Sequence, residues 1–77
     1  MRKTLKLIVA FPTTTYALKA EYLCKEQKIP GRLIPIPRQI SAGCGFAWCT
    51  DIEHKDCMHT VLSQAQITTD GIYEMLL

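Results

Sequence analysis

Pro35 and Pro37 interrupt the extended, apolar run Arg32-Leu33-Ile34-Pro35-Ile36-Pro37. Each proline lacks a backbone donor, so this segment pairs as an edge strand if it pairs at all. The other strand-like runs must then fill the rest of the sheet. Leu5, Leu7, Val9 and Phe11 alternate with Lys6, Ile8 and Ala10, the period of a half-buried strand. Pro12 stops it, and Thr13-Thr14-Thr15 offers hydroxyls for a helix start. Tyr16, Ala17, Ala20, Leu23 and Cys24 share one face of a helix reaching about Gln27. Ile29-Pro30-Gly31 is a breaker.

Beyond the prolines, Arg38 to Gly45 reads as a glycine-containing turn and Phe46-Ala47-Trp48-Cys49-Thr50 as a third strand. Thr50 or Asp51 is placed to cap a second helix, with Met58, Val61, Leu62 and Ala65 as its apolar stripe. Thr68-Thr69-Asp70-Gly71 is a loop, and Ile72 to Leu76 a short last strand. The order β-α-β-β-α-β is the split β-α-β pattern, an α+β ferredoxin-like sandwich spanning residues 1–77 as a single domain. Two helices should cover one face of an antiparallel sheet ordered 4-1-3-2 in chain numbering.

A chain of 77 residues buries only roughly 60–65% of its unfolded surface. That leaves no room for a deep cavity around a large cofactor, and we expect none. The apolar fraction of 48% supports a packed core. A net charge of +2, mixed along the chain, is too weak a signature for a nucleic-acid partner. The basic start at Arg2 and Lys3 leads to only five apolar residues after Lys6 before Pro12. A secretory leader needs about 7–15. No run approaches the ~18 apolar residues of a membrane span. These features lead us to expect a cytoplasmic protein. There the four cysteines, Cys24, Cys44, Cys49 and Cys57, are free thiols, metal ligands or redox groups rather than structural disulfides.

Cys44 is the cysteine that invites chemistry. It stands in Ser41-Ala42-Gly43-Cys44-Gly45, between two glycines that tolerate positive φ and crowd nothing. In the expected topology its loop and the first turn of helix one lie at the same end of the sheet. A helix start carries roughly half a positive charge and unpaired N–H donors, which suits an anion such as a thiolate. A free cysteine with pKa ~8.5 is only about 3% thiolate at pH 7. Lowering that value to ~7 asks roughly 2 kcal/mol of the surroundings, within reach of a helix end aided by Arg38. The candidate anion-stabilising groups are Arg38, Ser41, Thr13, Thr14 and the backbone of Gly43 and Gly45. The rival reading is that the glycines serve only the hairpin and the thiol is incidental.

Cys24, on the apolar face of helix one, reads as core packing. Cys49, His54 and Cys57 could converge at the other end of the sheet as a three-ligand metal site. Cys44 cannot join them while its strand persists, since it stands about 16 Å from Cys49 at ~3.3 Å per residue. We assign no metal ligand. Phe46 and Trp48 share one face of the third strand. They are core if they face the helices. If they face away, they form a sticky patch through which the open sheet face would dimerise or dock a partner.

The stretch Ala17-Leu18-Lys19-Ala20-Glu21, the run from Arg32 to Ser41, the Cys44-Gly45 pair and the ending Gly71-Ile72-Tyr73 resemble one family over nearly the whole chain. It is a small bacterial domain family described as selenium/sulfur carrier-like, otherwise a domain of unknown function. The resemblance implies a cytoplasmic protein whose cysteine, here Cys44, holds sulfur or selenium as a persulfide or perselenide. It implies a carrier rather than a turnover enzyme. It also implies a donor, such as a cysteine desulfurase, and an acceptor enzyme. It assigns nothing to Cys24, Cys49, Cys57, His54 or His59. Two other carrier chemistries do not fit. The last residues, Glu74-Met75-Leu76-Leu77, offer no Gly-Gly for a thiocarboxylate, and the chain has no Cys-Pro dipeptide. A non-catalytic interaction module and a small Cys/His metal-binding protein remain the alternatives.

Overall fold

The structure, a computed structural model, describes residues 4–40 and 45–77. Its elements run β1 (Leu5–Ala10), α1 (Thr14–Glu26), β2 (Arg32–Pro35), β3 (Phe46–Asp51), a 3-10 turn (Ile52–His54), α2 (Lys55–Gln64) and β4 (Gly71–Leu76). The four strands form one antiparallel sheet in the order β2-β3-β1-β4. This is the ferredoxin-like order expected from the sequence, with the proline-bearing β2 at an edge.

Thr13 starts α1. Its backbone is extended, and its Oγ1 accepts a hydrogen bond from the Tyr16 N–H at 3.4 Å. Ala17, Ala20 and Cys24 of α1 are buried, as are Met58 and Leu62 of α2. They pack with Leu7, Val9, Phe11 and Trp48 into the core between helices and sheet. Trp48 therefore faces the helices and is 1% exposed. The expected alternative of a Trp48 patch on the open sheet face is overturned. Phe46, two residues away on the same side of the strand, lies at the sheet's end and stays exposed.

Neither expected cap serves α2. The Thr50 hydroxyl donates to the Pro30 carbonyl at 2.5 Å, and the Asp51 carboxylate pairs with Lys6. The helix is instead entered through the 3-10 turn, with no side-chain cap.

The face turned away from the helices is not bare. Ile8, Ala10 and Ala47 are fully buried there, together with Ile40, and Ile34, Ile36, Cys49 and Met75 pack around them. Beyond Pro35 the chain keeps one more bond to its partner strand, from the Ile36 N–H to the Gly45 carbonyl at 2.9 Å. A Pro37–Ile40 turn, closed by the Ile40 N–H on the Pro37 carbonyl at 3.0 Å, brings Ile40 into this second cluster. Hydrophobic burial drives that return of the chain, since it removes an isoleucine from water.

Candidate functional site at the helix-start end of the sheet

Strand directions place three connections at one end of the sheet: β1 into α1, β2 into β3, and α2 into β4. Ala10 pairs with Ala47 and with Gly71 at that end. Asp70 N–H closes onto the Ala10 carbonyl at 2.8 Å. Pro12, Thr13, Gly45 and Phe46 lie just past these pairs along the chain.

Of the residues singled out in the sequence, Ser41, Gly43 and Cys44 lie outside the described residues. The others are in view. Gly45 is exposed at φ +77°, and a Cβ there would meet nothing within 4 Å. This is the positive-φ backbone expected beside Cys44, and glycine adopts it without penalty. Thr13 has its hydroxyl oxygen committed to the Tyr16 N–H, so it serves the helix first. Thr14 is exposed in the first turn of α1, which contains no acidic side chain to compete for an anion. Arg38 is exposed in the turn that precedes Ile40. The structure thus puts the described flank Gly45 and the start of α1 at one end of the sheet. Arg38 belongs to the same β2–β3 connection.

The remaining cysteines have different settings, and all three described ones are free. Cys24 is fully buried, its Sγ 3.4 Å from Met58 Sδ, and burial pushes its thiol up to about 11. It is a packing residue, as its helical position suggested. Cys49 is half-buried on the face away from the helices. Burial raises its pKa, against a downward pull from Lys6 and Arg32. Cys57 is exposed on α2 and lines a cleft with Gln27, Ile29, Asp56 and Thr60 on the helix side.

Cys49 and Cys57 are on opposite sides of the sheet, so the three-ligand alternative of Cys49, His54 and Cys57 on one metal is not formed. Among the described residues the compact donor group is Asp51, Glu53 and His54, with one donor atom of each within 4.8 Å of the others. Asp51 is already held by Lys6, and the hydrogen bond and charge of that lysine keep its carboxyl below the usual range. Sequence reasoning missed this group because it looked for sulfur. No helix among the described residues is long and apolar enough to cross a membrane.

The described residues form a small α+β fold with two helices on one face of a four-stranded antiparallel sheet and with Gly45 at the helix-start end. The chain belongs to the family described as "Putative Se/S carrier protein-like", whose model matches residues 6–74. No curated protein and no solved structure matches it.

Proposed function

We propose that this protein carries sulfur or selenium on Cys44 as a persulfide or perselenide. It would take the atom from a donor enzyme of the cysteine desulfurase kind and yield it to an acceptor enzyme. Membership of the carrier-like family over residues 6–74 is the observation that carries this reading. The placement of Gly45 supports it, because the start of α1, whose free N–H groups favour an anion and whose first turn has no acidic side chain, lies at the same end of the sheet. In the loading step the Cys44 thiolate attacks the outer sulfur of the donor's persulfide. A new S–S bond forms on Cys44, the donor's S–S bond breaks, and the donor cysteine leaves as a thiolate with the electron pair. Unloading is the same displacement with the acceptor as nucleophile. Thr14, Arg38, Ser41 and the Gly43 and Gly45 backbone are the proposed stabilising groups, with Thr13 acting chiefly by fixing the helix start. We place the exchange in the cytoplasm.

The test is intact mass spectrometry after incubation with a cysteine desulfurase and cysteine. The native chain should gain the mass of one sulfur atom, lost again on mild reduction. Cys57→Ser should load normally and Cys44→Ser should not. Full loading of Cys44→Ser would refute the reading.

A further inference from the structure

Four polar side chains form a compact group on the sheet face away from the helices, at the opposite end from Gly45. Arg32 stands directly across from Cys49 in the β2–β3 ladder. Ile8 stands across from Cys49 on β1, and two residues further along, Lys6 faces Asp51. Alternation along each strand puts Lys6, Arg32, Cys49 and Asp51 on one face. Directly opposed Cβ atoms in an antiparallel pair are about 4.5–5.5 Å apart, and diagonal neighbours about 7–8 Å. Both cationic side chains are therefore long enough to reach over the sulfur. The four residues line a recess of about 280 Å³ whose wall is completed by Pro30, Gly31 and Thr50.

The charges of this recess do not cancel. Lys6 and Asp51 close on each other as an ion pair. Arg32 has no carboxylate partner among the described residues. The group thus presents one net positive charge beside a half-buried thiol. A volume of this size admits a small molecule and excludes a folded chain.

We propose that Cys49 is a site of reversible mixed-disulfide formation with a small anionic thiol, whose carboxylates Arg32 and Lys6 receive. The co-reactant is the corresponding anionic disulfide. Cys49 loses its proton to water, and its thiolate attacks one sulfur of that disulfide. The Cys49–sulfur bond forms as the disulfide's own S–S bond breaks. The departing half leaves as a thiolate with the electron pair. Cys49 is oxidised and the leaving sulfur reduced, so the electrons balance, and free anionic thiol reverses the step. Burial raises the thiol's pKa, which makes the exchange slow at neutral pH and faster in mild alkali. This site is separate from Cys44 and does not depend on the carrier reading.

The experiment uses the full chain with Cys44→Ser and Cys57→Ser, leaving Cys49 and the deeply buried Cys24. Oxidised glutathione, an anionic disulfide, and cystamine, a cationic one, are compared at about pH 8.5, where an unperturbed thiol is half ionised. Each rate is divided by that of the urea-unfolded chain, which removes the reagents' intrinsic difference. Peptide mapping should place the adduct on Cys49. Oxidised glutathione should be favoured by about threefold or more, with the preference fading at about 0.5 M salt as charges are screened. Arg32→Gln and Lys6→Gln should each abolish the preference, because either change leaves the remaining cation balanced by Asp51. Equal normalised rates, a preference untouched by Arg32→Gln, or failure of folded Cys49 to react with either reagent would overturn the proposal.

Discussion

Cys24 Sγ and Met58 Sδ lie 3.4 Å apart, joining α1 to α2 inside the core cluster that includes Trp48. Both residues are fully buried. Met58 is flexible enough to fill the irregular space between helices of unequal length, and its sulfur meets another polarisable atom. Met58→Ala should therefore lower the unfolding free energy by about 2–5 kcal/mol, while the volume-conserving Met58→Leu should lose less than about 1.5 kcal/mol. Urea denaturation of the two variants measures the difference. Equal losses would mean that the thioether contact, rather than the volume, stabilises this junction.

The same burial sets an alkaline dependence. Cys24 is pushed from an ordinary value of 9.0 up to about 11 because its thiolate would lose solvation. Between these values the unfolded chain has released the proton and the folded chain retains it. The contribution is whole below about 9, declines as pH rises, and is gone above about 11. The denaturation midpoint of the native chain should fall more steeply over this window than that of Cys24→Ala. Parallel curves would show that Cys24 does not titrate with unfolding.

Two glycines with positive φ should respond differently to a methyl group. At Gly31, φ +153°, an added Cβ would sit 2.6 Å from the Cys49 carbonyl oxygen and 2.7 Å from Trp48 Cζ2. Neither atom yields easily, since one is strand backbone and the other a packed indole. At Gly45, φ +77°, the space is open and only the backbone preference opposes the change. We expect Gly31→Ala to cost about 1–3 kcal/mol or more and to exceed Gly45→Ala, for which about 1–2 kcal/mol is the scale. Paired thermal melts test the ranking, and the reverse order would contradict the close approach described at Gly31.

The strand order was legible because local chemistry and topology agreed. Pro35 could only sit at an edge, and the Thr13 hydroxyl does cap α1. The second apolar cluster was less legible. Ile8 and Ala10 alternate with Leu7 and Val9, and period two leaves open whether the second set meets water or more protein. The answer depends on Ile36 and Ile40 returning over the sheet, a non-local contact that no short window reveals. The caps of α2 failed for a related reason. Thr50 and Asp51 have the right chemistry, but Pro30 and Lys6, remote in sequence, claim their oxygens. Of the candidate site, the positive φ of Gly45 was readable from residue type alone. The grouping of Arg32, Cys49, Asp51 and Lys6 was not, because it needs the register of three strands.

The bond from Ile36 to the Gly45 carbonyl has a mechanical meaning for any cargo on Cys44. Successive Cα atoms are about 3.8 Å apart, so Cys44 is tethered one residue from a post that the ladder holds still. On the carrier reading proposed above, a load on Cys44 would stay one residue from this fixed post, so donor and acceptor would each come to the same doorstep in turn, and their docking surfaces should be similar in shape.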